Sequence, residues 1–147
     1  MIQALKSLCE YSLGDDWQHA MALLEVESGG NELAVGDGGR SRGLWQMHAD
    51  FIATFLPHFG ENGLALAVGA HDPFIQADAL RRFWHAFPPE TPAAERYRVF
   101  HYGANGAARL AKSDDPDPDG YVPKVQKRYA KNTGTTPQPT PAAASND

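Results

Sequence analysis

A single cysteine, Cys9, in 147 residues rules out any disulfide within the chain, so the fold must stand on packing. A lone cysteine on the first amphipathic segment reads as a small buried apolar residue. Long apolar runs are missing too: no stretch approaches the ~18 residues of a membrane span. Residues 1–8 lack a basic start followed by a sustained apolar run, so they do not read as a secretory signal. Positive charge is in deficit. The net charge of −5 argues against nucleic acid as a partner and gives no attraction to an anionic surface. No internal repeat is visible. What remains is ordinary for a globular chain: 42% hydrophobic and 21% charged residues, enough for one domain with a real core.

The periodicity is helical almost throughout. Leu5, Leu8 and Cys9 recur at helical spacing, and Gly14 is a natural stop. Asp15 and Asp16 offer an N-cap to a helix over Trp17–Ser28. The glycine-rich residues 29–42 read as an ordered loop or small hairpin. Phe51, Phe55 and Leu56 predict a short helix from about Ala49, closed by Pro57. Residues 57–71 have no clear period and receive no assignment.

Asp72-Pro73 starts a helix whose apolar stripe is Phe74, Ala77, Leu80, Trp84 and Phe87, ended by Pro88-Pro89. Thr91-Pro92 starts another, running to Tyr102-Gly103, with a short piece around Ala107–Lys112. Tyr121, Val122, Val125 and Tyr129 form one face of a last helix. From Asn132 onward the Thr/Pro/Ala composition reads as a disordered tail, leaving 1–131 as the folded domain.

Two acids near the end of the second helix can carry chemistry. Steps of about 100° per residue put Ala20, Met21, Leu24 and Ser28 on one stripe, with Glu27 on one flank and Glu25 on the other. A carboxyl on the inner edge of a buried helix is costly unless it is used or paired. Alone, either acid reads as a surface residue near a helix end. Placed before a glycine-rich loop, Glu27 suits an acid kept protonated beside a sugar.

Glu27-Ser28, Ala34-Val35, Gly43-Leu44-Trp45-Gln46, Tyr102 and Tyr121-Val122-Pro123-Lys124-Val125, taken in that order, resemble the lytic transglycosylases and the related goose-type lysozymes. The resemblance spans roughly residues 17–130. It implies a mainly α, lysozyme-like single domain with a small loop or β-hairpin lobe. The implied activity is cleavage of the β-1,4 bond between N-acetylmuramic acid and N-acetylglucosamine in peptidoglycan.

By that resemblance Glu27 is the general acid and base, and Ser28 supports it or the substrate's acetamido group. Gln46 hydrogen-bonds sugar, Tyr102 orients Glu27, and Tyr121 lines the cleft. Trp45 has two readings of equal weight, a flat face for a pyranose or a core plug. Read without the resemblance, both tyrosines are core residues with wet hydroxyls.

The pattern departs from the family at three places. His101-Tyr102-Gly103-Ala104-Asn105-Gly106 lacks an asparagine directly after the tyrosine, leaving Asn105 as the nearest substitute. Asp37 stands where transglycosylases carry a serine and goose-type lysozymes a water-positioning aspartate. His48 stands where those lysozymes carry a further aspartate.

The transglycosylase reaction needs no second carboxylate, because the substrate's own 6-hydroxyl closes an anhydro ring. An inverting hydrolase needs one about 6.5–9.5 Å from the acid. The expectation is therefore a lytic transglycosylase, with a hydrolase using Asp37 as the alternative and a non-catalytic wall-binding domain as the rival. Asp37 alone also fits a structural Asp-Gly-Gly turn.

Asp115-Pro116-Asp117-Pro118-Asp119-Gly120 matches half of a calcium loop, but Gln126 stands at the twelfth position, so it reads as a turn with Asp119 starting the last helix. The resemblance implies a monomer without metal or cofactor that acts on bacterial peptidoglycan outside the cytoplasm. Its delivery is expected from a phage or another system.

Overall fold

The computed structural model describes residues 2–59 and 70–136, and these are mainly helical. Contacts gather the chain into two compact units, Met1–Phe87 and Pro88–Asp147.

In the first unit, helix α1 (Ile2–Leu13) packs against both α2 (Trp17–Ser28) and α4 (Pro73–His85), while α3 (Ala49–Phe55) packs on α4. Gly14 ends α1 at φ 56°, as its lack of a side chain permits. The expected Asp16 cap on α2 is not made. A 3-10 turn over Gly14–Asp16 runs directly into the helix instead, and the Trp17 N–H finds the Gly14 carbonyl. Five consecutive residues of α2, Ala20–Leu24, are buried, so neighbours surround this helix and no single stripe describes it. Cys9 is fully buried beside it, as expected of a small apolar residue.

Helix α4 begins as the sequence predicts. Asp72 accepts hydrogen bonds from the Phe74 and Ile75 N–H groups at 2.8 and 3.2 Å, and Pro73 takes the first helical position. Its core face is Gln76, Ala77, Leu80, Phe83 and Trp84, whereas Phe74 is 62% exposed. The stripe read from the sequence was thus rotated at its start. The helix also stops at His85, short of Phe87. Ser12, buried on α1, donates to the Ala77 carbonyl at 2.7 Å and ties α1 to α4.

The second unit holds α5 (Ala93–Leu110) and α6 (Tyr121–Thr133), which pack together. Helix α5 breaks at Gly103 (φ 73°, ψ 165°), which accounts for the two helical pieces seen in the sequence. Arg98 spans the break, gripping Glu95 with two bonds of 2.8 and 2.9 Å and donating to the Ala107 carbonyl at 2.8 Å.

The turn before α6 is capped, but not by Asp119. Asp117 accepts from the N–H groups of Tyr121 and Val122 at 3.0 and 2.9 Å, because the left-handed Gly120 aims them back at it. Asp119 turns instead to His101, 2.8 Å away. Helix α6 continues through Thr133, past the boundary expected at 131, and closes on left-handed Gly134. The predicted tail beyond residue 136 and most of the unassigned 57–71 stretch lie outside the described residues.

Candidate functional site

The loop between α2 and α3 is a small antiparallel hairpin. Strand β1 (Val35–Gly36) pairs with β2 (Ser41–Arg42) in the register Val35 to Arg42 and Gly36 to Ser41. A tight turn over Asp37–Gly39 joins them. Arg42 then bridges to Met47, folding residues 43–46 into a second turn.

Two anchors fasten this lobe to the helices. The Trp45 indole N–H donates to the Ala20 carbonyl of α2 at 2.9 Å. Gln76, fully buried on α4, accepts from the Trp45 backbone N–H at 3.0 Å and donates to the carbonyls of Arg42 and Ala70, both at 2.6 Å. Gly43 makes this approach possible: at φ 77°, a Cβ there would lie 2.5 Å from the Gln76 amide nitrogen.

Two non-glycine residues of the lobe occupy the left-handed region, Asp37 at φ 50° and Gln46 at φ 48°. That conformation costs roughly 1–2 kcal/mol for an L-residue, less for aspartate than for glutamine. Asp37 is held there by side-chain bonds. Its Oδ2 accepts from the Ser41 hydroxyl and lies 3.1 Å from His48 Nε2, which is itself 2.8 Å from Ser41 Oγ. These bonds, the Ser41 contact first and then His48, hold the Asp37 carboxyl below the usual aspartate range.

Beside this cluster opens a cleft of about 320 Å³, lined in part by Arg42, His48, Ala49 and Asp50. Arg42 braces the turn, donating to the Gly39 carbonyl at 2.8 Å and meeting His71 at 2.7 Å.

Glu27 sits half-buried on the last turn of α2, before left-handed Gly29. Glu25 is half-buried as well, so burial alone does not separate the two acids. Glu25 also has a neighbour on α1. Glu25 lies close enough to the Cys9 thiol to add to the burial that pushes it up to about 12, which puts Glu25 on the side of α1. Ser28 closes the helix end, donating to the Leu24 carbonyl at 3.3 Å and accepting from Gly30 N–H at 3.2 Å.

Several residues expected to touch sugar are placed differently. Trp45 is 0% exposed with its N–H bonded inside, so it is the core plug and presents no face for a pyranose. Gln46 directs both amide protons to carbonyls of its own lobe, Ala34 and Gly43, each at 3.0 Å. Its remaining oxygen lies against Gly36, where a Cβ would come within 2.6 Å.

In the second unit, Tyr102 donates its one hydroxyl proton to Asp117 at 2.6 Å and accepts from Asp119 N–H at 2.9 Å. Desolvation first, then the Asp117 bond, pushes the Tyr102 phenol up to about 12. Tyr121 is buried with its ring stacked on His101 at 4.1 Å, and Asn105 is exposed on the second piece of α5. The carboxylate of Asp117 is already engaged by three donors.

Ser41 and Gln76 were not legible as site residues. Nothing in the sequence sets Ser41 apart within the glycine-rich 29–42 loop, and Gln76 lies among the apolar positions of α4. A polar side chain on a helix's core face was the one signal for Gln76. Compared with known proteins, the chain matches no family model, no curated protein and no solved structure.

Proposed function

We propose that this chain is a peptidoglycan-cleaving enzyme with a lysozyme-like fold, breaking the β-1,4 bond between N-acetylmuramic acid and N-acetylglucosamine. Glu27 is the general acid that protonates the glycosidic oxygen, and the bacterial cell wall is where it acts. One observation carries the reading. A half-buried acid ends a helix to which the hairpin lobe is anchored, and that lobe holds a second carboxylate, Asp37, in a strained, multiply bonded pose. Strain of this kind is retained where a group must be held for use. The order of the Glu-Ser, Gly-Leu-Trp-Gln and Tyr-Val segments supports the same assignment.

Lytic transglycosylation needs Glu27 alone, and the position of Asp37 is then incidental. The arrangement around Asp37 favours the second outcome, hydrolysis with inversion, in which an ionised carboxylate receives a proton from the attacking water. The two outcomes share their first step. Purified sacculi incubated with wild type should release soluble fragments. Glu27→Gln should reduce release by about 10²–10⁴-fold, while Glu25→Gln stays within a few-fold of wild type. Loss with Glu25→Gln and retention with Glu27→Gln would reverse the assignment of the acid. Wild type that binds sacculi without releasing fragments would make the chain a wall-binding domain.

A further inference from the structure

We propose that Ser41 and His48 are positioning residues that leave Asp37 with one free oxygen, Oδ1, to hold the attacking water. The proposal rests on the hydrolytic reading above. Ser41 is 4% exposed, fixed by strand pairing, and its single proton goes to Asp37 Oδ2. His48, at the entry to α3, brings Nε2 to 3.1 Å from the same Oδ2 and 2.8 Å from Ser41 Oγ. With the Ser41 proton already directed to Asp37, both contacts require a hydrogen on Nε2, shared between the two oxygens. Oδ2 is thus held from a strand and from a helix entry.

Among the described residues none donates to Oδ1, and the Asp37 side chain is 61% exposed, so this oxygen faces solvent. The trio is not a nucleophilic triad. Asp37 and Ser41 meet the same ring nitrogen, so no base stands ready to take the Ser41 proton.

The step balances simply. Glu27 gives its proton to the leaving oxygen as the C1–O bond breaks. Water held by Oδ1 forms the new bond to C1 from the opposite face, and its proton passes to Asp37. Donation to Oδ2 keeps Asp37 ionised under conditions in which Glu27 must be protonated.

The test uses the full chain with His48→Ala, His48→Gln and Ser41→Ala, each first checked for wild-type helical signal. Glutamine places an N–H where the imidazole Nε2–H sits, so His48→Gln should rescue what His48→Ala loses. His48→Ala should lower kcat on sacculi about tenfold or more, part of the 10²–10⁴ that a general base supplies, with KM little changed. A carbon-detected titration of the Asp37 carboxyl, which needs no substrate, should move its midpoint upward in His48→Ala and in Ser41→Ala, and back in His48→Gln.

Active wild type with an unchanged kcat in His48→Ala, or an unmoved Asp37 midpoint, overturns the positioning role and spares the functional reading. Wild type that releases no fragments, or only anhydro ends, overturns the hydrolytic reading and this role with it. Should Ser41→Ala lose its helical signal, the exposed His48 pair decides the matter alone.

Discussion

Gln76 offers the sharpest test of how the hairpin lobe is held. Replacing it by leucine keeps the size of the side chain and removes its three hydrogen bonds. The consequences differ at the three backbone partners. The Arg42 carbonyl still accepts from Met47 N–H at 3.1 Å, so it stays satisfied. The Trp45 N–H loses the Gln76 oxygen at 3.0 Å in a fully buried place, and the Ala70 carbonyl loses its donor at 2.6 Å. An orphaned buried donor costs about 1–3 kcal/mol and a lost carbonyl bond about 0.5–1.5 kcal/mol, partly offset by the leucine's own burial. The net loss is about 1–3 kcal/mol, which at this chain length lowers Tm by roughly 2–12 °C.

Gln76→Glu separates this account from a simple packing defect. One oxygen of the introduced carboxyl keeps the Trp45 bond, while the other faces the two carbonyl oxygens that Nε2 now bridges. The folded state therefore requires the protonated acid, which raises its pKa above the ordinary value. Stability from a raised carboxyl is fully present below the unfolded pKa, near about 4.3, and is lost as pH rises through the folded value. Differential scanning calorimetry should find Gln76→Glu close to wild type at acid pH and well below it at neutral pH. A Gln76→Leu midpoint within about 1 °C of wild type, or a Gln76→Glu deficit independent of pH, would show that Gln76 does not hold the lobe through these bonds.

The lowered Asp37 pKa has its own pH signature: its stabilising effect is present above the ordinary aspartate value of roughly 4 and is lost as pH falls through the lower folded value. Wild type should therefore lose slightly more Tm than Asp37→Asn between about pH 5 and 3, the effect being small because the side chain is exposed. Asp117→Ala removes three bonds at the start of α6 and should cost about 1–2 kcal/mol by denaturant titration, as a lost helix cap does. A chelator should leave the same titration unchanged, and a calcium-dependent shift in midpoint would contradict the capping role. Cys9, fully buried and pushed up to about 12, should resist alkylation at neutral pH until denaturant unfolds the chain, as followed by mass.

The helices were legible because their punctuation is local. Asp72-Pro73, Gly14 and the break at Gly103 are each decided by φ/ψ preference or a neighbouring N–H, and each appears where the sequence puts it. What depended on distant packing was not legible. The periodicity of α2 could not show that residues 20–24 are enclosed on every side. Phe74 looks like the first member of the α4 stripe, yet that first turn faces outward and Gln76 takes the inward place.

The site divides the same way. Asp37 stood out from its glycine turn. The bonds it makes depend on β2 bringing Ser41 around the turn and on the chain returning at His48, eleven residues later. Trp45 could be read as platform or plug because both demand a large aromatic face. Its complete burial and the acceptor on Ala20 decide for the plug. Asp119 was the nearest acid to α6, but the left-handed Gly120 hands the cap to Asp117.

Whether Glu27 and Asp37 together deliver water to a glycan strand, as proposed, can be read from the masses of the fragments that wild type releases from sacculi. Hydrolysis leaves a reducing N-acetylmuramic acid, and transglycosylation leaves a 1,6-anhydro end lighter by one water. The expected fragments carry reducing ends and fall away together in Glu27→Gln and Asp37→Asn. Fragments that all carry anhydro ends would contradict the proposal.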